Sequence, residues 1–133
     1  MGKYGQTAKI ATELLINNQT NDPVKAWDIA TIQVFPNSIS SRNKGCPKNS
    51  FLGLCEAGYI VNVMTGNYTR SEKNKDYAIK AISLLRDNPR LTETELWKLV
   101  IDEPDKKHNY QMDVIKTLWD NKYINQKNIS ISK

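Results

Sequence analysis

The feature that most constrains this chain is that it partly repeats itself. Shifted by 70 positions, Ala8 falls on Ala78, Ala11 on Ala81, Leu14 on Leu84 and Leu15 on Leu85. Trp27 falls on Trp97 and Ala30 on Val100 at the same offset. Further on the offset is 64, with Phe51 on Ile115, Leu54 on Leu118, Tyr59 on Tyr123 and Ile60 on Ile124. The second copy has therefore lost six residues before its last helix. Tryptophan is rare, and two at a constant offset inside matching apolar patterns point to a duplicated unit.

Each copy reads as three helices. The first helices span about Gln6 to Asn17 and about Lys75 to Asp87, with apolar residues at helical spacing. The second helices carry start signals: Asp22-Pro23 supplies a cap and a first-turn proline, and Thr92 through Glu95 spells a capping box. The third begin near Cys46-Pro47 and near His108, with stripes of Phe51, Leu54 and Cys55 and of Ile115, Leu118 and Trp119. An apolar extended run follows each, Gly58 to Val61 and Lys122 to Ile124. That order suits helix-turn-helix or winged-helix units, although neither copy shows the returning strand of a wing. The expected fold is mainly α: two tandem three-helix units with minor short β-strands. Residues 1–66 form the first unit, 67–77 a linker and 78–133 the second. A unit of about 60 residues is marginal alone, so the two are expected to share one core as one compact domain. Ile129 and Ile131 alternate as an edge strand would.

The chain has 133 residues, with 19 Lys and Arg against 14 Asp and Glu, a net charge of +5. No apolar run approaches the roughly 18 residues of a membrane span. The N-terminus lacks the apolar stretch of a secretory signal, and Gln6 stands where myristoylation needs Ser or Thr. The expectation is a cytoplasmic protein, off the membrane, whose two cysteines are free thiols. Charge is uneven along the chain. Between Asp28 and Glu56 there is no acid, while Arg42, Lys44 and Lys48 cluster among serines and asparagines at a helix start. Arg42, Lys44, Lys48, Asn49, Asn67, Arg70 and Lys73 are the candidate anion-binding residues, because cations and short polar side chains at a helix N-terminus suit phosphates. A solvated loop is the plainer alternative. The outer face of the last helix, with Asn109, Asp113, Lys116 and Asp120, suits phosphates poorly, so the first unit and the linker would carry any nucleic acid.

Catalytic signals are sparse. Cys46 precedes Pro47 between two lysines, the setting in which thiols become nucleophiles, and His108 stands at the matching helix start. A capping role for Cys46 is the plainer reading. Cys46, Cys55 and His108 lack metal-ligand spacing, and the glycines form no phosphate-cradling loop, so neither metal nor cofactor is expected. Two further functions stay open: a protein-interaction adaptor or homodimer with an apolar patch near Leu52 and Val63-Met64, and a thiol-dependent enzyme.

Four segments together resemble an uncharacterised bacterial family: Lys44 to Lys48, Phe51 to Glu56, Gly66 to Ser71, and Lys106 to Asn109 with Gln111 to Val114. The similarity runs from about Lys3 to Ile124. It implies a small bacterial cytosolic protein and brings no established activity. Asn49-Ser50 departs from the Gly-Ala that the family places there, leaving this helix start more polar.

Overall fold

The computed structural model describes residues 2–126, so the Ile129/Ile131 alternation lies outside the described residues. The described chain is mainly helical. In order come α1 (Lys3–Ile16), α2 (Pro23–Val34), α3 (Ile39–Arg42), α4 (Gly45–Glu56), α5 (Glu72–Asp87), α6 (Glu93–Val100) and α7 (Gln111–Asp120).

Local signals explain most boundaries. Asp22 accepts the Val24 backbone N–H at 3.0 Å, with Pro23 in the first turn of α2. At α6 the Thr92 hydroxyl accepts from the Glu95 N–H at 3.2 Å and the Glu95 carboxylate from the Thr92 N–H at 2.9 Å, the reciprocal bonds of a capping box. Elsewhere the boundaries differ from expectation. α5 starts at Glu72 because Ser71 caps it, accepting from the Asn74 N–H at 3.2 Å, so helix begins inside the stretch read as linker. α7 starts at Gln111, after a left-handed Tyr110, and not at His108. The unforeseen α3 is capped by Ser38 within a serine-rich stretch that reads locally as loop.

Packing is long-range. α1 lies on α2 and on α7, and α4 lies on α5 and α7. Two glycines allow close crossings. A Cβ on Gly5 in α1 would run into the Thr117 hydroxyl of α7, and one on Gly53 in α4 would come within 2.7 Å of the Lys75 Cα in α5. The core between the helices holds Ala8, Trp27, Phe51, Leu54, Ile82, Leu85, Leu96, Ile115 and Leu118, none more than 1% exposed. Cys55 is wholly buried there, and burial pushes its thiol pKa well up. Leu52, read as a surface residue of an apolar patch, is 2% exposed and belongs to the core. Its side chain follows the i, i+3 stripe less closely than its neighbours, but α4 is covered by α5 and α7 and buries more than one stripe.

α4 and α7 end alike. Gly58 and Lys122 both take left-handed backbone, with φ of 83° and 63°. The Tyr59 N–H then reaches back to the Leu54 carbonyl at 2.9 Å and the Tyr123 N–H to the Leu118 carbonyl at 3.0 Å. These are the i to i−5 bonds of a Schellman ending. The two extended runs meet each other in place of turning back as wings. Ile60 and Ile124 form an antiparallel bridge, flanked by Val61 N–H to Tyr123 carbonyl at 3.0 Å and Asn125 N–H to Tyr59 carbonyl at 2.7 Å. No helix among the described residues is long and apolar enough to cross a membrane.

Candidate functional site

A cleft of about 710 Å³ opens beside the first turn of α4. Gly45, Lys48, Asn49 and Leu52 of α4 line one side and Asn67 to Arg70 the other, with Asn43 and Val24 completing the lining. Lys44, the N-cap residue of α4, supplies no side-chain cap, so it leaves the first backbone N–H groups of the helix open. Asn49 accepts from the Thr69 hydroxyl at 2.7 Å, which clips the two walls together. Lys48 pairs with Asp28 at 3.2 Å across partly exposed surface. Arg70 is exposed, and among the described residues its guanidinium has no hydrogen-bond or salt-bridge partner. Its five donors are therefore available to an anion.

The wall formed by residues 66–70 is held by Glu56, the one acid between residues 29 and 71. Its Oε1 accepts the Tyr68 N–H at 2.8 Å and the Thr69 N–H at 3.1 Å, while Oε2 takes Lys75 Nζ at 2.7 Å. The Lys75 hydrogen bond, then the backbone N–H of Thr69, hold the Glu56 carboxyl below its ordinary pKa, and Lys75 is raised in return. Gly66 completes the wall, because a Cβ there would stand 2.7 Å from the Tyr68 ring. Glu56 was legible in one respect only: it is a solitary carboxylate in a basic stretch.

Removing this clasp is expected to weaken the protein. Glu56→Ala leaves two N–H groups and a largely covered ammonium without their acceptor, at about 1–3 kcal/mol. The effect depends on pH in a fixed direction. A carboxyl with a lowered folded pKa stabilises above its ordinary pKa and loses that contribution as pH falls through the folded value. Urea unfolding of both proteins is therefore expected to show a gap at neutral pH that narrows below the ordinary glutamate range.

The cleft collects Lys48, Asn49, Asn67 and Arg70 from the residues singled out by sequence. The others go elsewhere. Arg42 reaches the Phe35 and Pro36 carbonyls at 3.4 Å each. Lys44 turns to the opposite side of the α3–α4 turn, over the Tyr110 ring. Lys73 pairs with Glu103 at 2.9 Å. Asn43 and Thr69 join the cleft without having been singled out.

Cys46 is half-buried, and its carbonyl accepts the Ser50 hydroxyl at 3.0 Å. His108 works as a helix cap: Nε2 accepts the Met112 N–H at 2.9 Å, and the ring lies 5.0 Å from that of Trp97. Although much of His108 meets solvent, desolvation of the ring face against Trp97 lowers its pKa. Among the described residues no hydrogen bond joins Cys46 to His108. The His108 lone pair at Nε2, which a base acting on a thiol needs, is already taken by the Met112 N–H. No three His, Cys, Asp or Glu side chains among the described residues are grouped so that they could hold a metal ion.

Fold and cleft define a small, mainly helical protein with a cation-bearing groove of mixed polar and apolar lining. The chain belongs to the family of unknown function DUF6979, which it matches over residues 1–125. No curated protein sequence and no solved structure matches it.

Proposed function

We propose that this chain is a binding protein for polyanions, nucleic-acid phosphates foremost, and that its site is the cleft at the start of α4. One observation carries the reading: Lys48 and Arg70, far apart in sequence, line one groove with Asn43, Asn49, Asn67 and Thr69. Cations beside short hydrogen-bonding side chains at an uncapped helix start suit phosphate oxygens. The second half is the poorer surface for this purpose. On α7, Lys116 is paired with Asp120 at 3.4 Å, and its Nζ also donates to the Pro89 carbonyl at 2.6 Å.

The same proposal takes the chain as two tandem helix-turn-helix-like units, residues 1–66 and 78–133, sharing one core. Its support is the matched left-handed endings at Gly58 and Lys122, and the pairing of Ile60 with Ile124. The two glycine crossings add to it. Gly5 and Lys75 are 70 apart, Gly53 and Thr117 are 64 apart, and each crossing joins the first helix of one copy to the third of the other.

Charge reversal tests the site. A protein carrying Lys48→Glu and Arg70→Glu is expected to lose at least about 100-fold in affinity for inorganic polyphosphate at low salt, since each charge-assisted contact is worth about 1.5–3 kcal/mol. Circular dichroism should show the helices unchanged. Undiminished binding by the folded double variant removes this cleft from the reading.

A further inference from the structure

On the other side of the α3–α4 turn lies a second depression, of about 300 Å³. Asn43 and Gly45 face the cleft, while Lys44 between them faces this basin. Three aromatic rings build it. Tyr4 lies 4.8 Å from Phe35 and 4.8 Å from Tyr110, centroid to centroid. Tyr4 and Phe35 are buried, and Tyr110 is 45% exposed. The Tyr4 hydroxyl donates to the Ser41 carbonyl at 2.8 Å, which fixes the inner ring against α3. Lys3 and Lys44 place their ammonium groups 5.8 Å from the Phe35 and Tyr110 centroids. Asp113, half-buried, adds a carboxylate with no partner among the described residues.

Tyr110 is held in an unusual way. Its φ of 67° and ψ of 10° are left-handed, a costly backbone for a bulky side chain, and it sits there as the cap of α7. Strain of this kind persists where the surrounding structure imposes it, and it gathers at functional positions.

We infer that the basin takes one unstacked nucleobase of a single-stranded nucleic acid, stacked on Tyr110, while the adjoining backbone crosses the α3–α4 turn into the cleft of Lys48 and Arg70. This rests on the phosphate-binding reading of that cleft. An aromatic face accepts any base, and stacking is worth roughly 5- to 150-fold in affinity. The exposed contact of Lys44 with the same ring is worth only about 2- to 5-fold. A base therefore displaces the ammonium, which is then free for a phosphate. Asp113 offers an acceptor for an exocyclic amine such as that of cytosine. A paired base stays inside its duplex and cannot reach the ring, so single strands are preferred.

The test uses the whole protein with three probes: oligo(dC) of about 12 nucleotides, within the usual site size for single strands, its duplex with oligo(dG), and inorganic polyphosphate. Wild type is compared with Tyr110→Gly, whose backbone suits a positive φ, and with Tyr110→Phe. Wild type is expected to bind the single strand more tightly than the duplex. Tyr110→Gly should lose roughly 5- to 150-fold for oligo(dC) and nothing for polyphosphate, and Tyr110→Phe should retain both. If Tyr110→Gly binds oligo(dC) as wild type does while polyphosphate still binds, the base site is wrong and the cleft stands. An equal loss for polyphosphate makes Tyr110 structural and overturns the base site as well. If wild type binds no polyphosphate, cleft and base site fall together.

Discussion

Trp27→Ala is expected to lower stability by about 3–5 kcal/mol, the range for truncating a large buried aromatic side chain. Trp27 is 1% exposed and lies 5.3 Å from Phe51, joining α2 to α4 beneath the cleft. Its loss leaves a void between α2 and α4, the helix whose first turn lines the cleft, so polyanion binding should weaken too. Trp27 and Trp97, 70 positions apart in sequence, then separate on a milder change. Trp97 Nε1 donates to the Lys106 carbonyl at 3.1 Å, whereas the buried Trp27 Nε1 has no partner among the described residues. Trp97→Phe forfeits a hydrogen bond and Trp27→Phe does not. Urea unfolding should therefore show the smaller loss at the more deeply buried position.

Gly53→Ala is the second large effect, and here two contributions oppose each other. In a helix interior the change gains about 1 kcal/mol of propensity. The added Cβ, however, meets the Lys75 Cα at 2.7 Å, and backbone cannot swing aside as a side-chain tip can. Overpacking of this kind costs about 1–3 kcal/mol and occasionally more. Parting α4 from α5 also strains the Glu56–Lys75 clasp, so a net loss of about 2 kcal/mol is expected. Gly45→Ala is the control: its Cβ would have only Asn49 Nδ2 nearby, at 3.7 Å, and stability should hold or rise by up to about 1 kcal/mol. Thermal unfolding of the two variants separates these outcomes.

Sequence carried the local part of this structure. Asp22-Pro23 and the Thr92–Glu95 box announced their helices because capping is a matter of a few neighbouring residues. The core positions were legible for the same reason, since period 3.6 marks the face a helix buries. It does not say against what. That α1 meets α7 and α4 meets α5 is decided by shape at distant positions, above all at Gly5 and Gly53, whose missing side chains leave no mark in a hydrophobic pattern. The site was half legible. Lys48, Asn49, Asn67 and Arg70 share a cleft, but Lys44 and Gly45 are neighbours that a tight turn sends to opposite sides. Arg42 is drawn off by the carbonyls of Phe35 and Pro36, and Lys73 by Glu103, partners that a charge count along the chain cannot supply.

The cleft places one unpaired guanidinium and one weakly paired ammonium where phosphate oxygens can reach both. The Lys48–Asp28 pair is partly exposed and so worth little, about 0–1 kcal/mol, which a phosphate contact outweighs. The most direct test of this account is the affinity of the wild-type protein for a single-stranded oligonucleotide across a salt series. Affinity is expected to fall as salt rises, with a log–log slope of about −1.4 for two phosphate contacts, and steeper if Lys44 joins. Absence of binding at low salt, or binding that ignores salt, would contradict it.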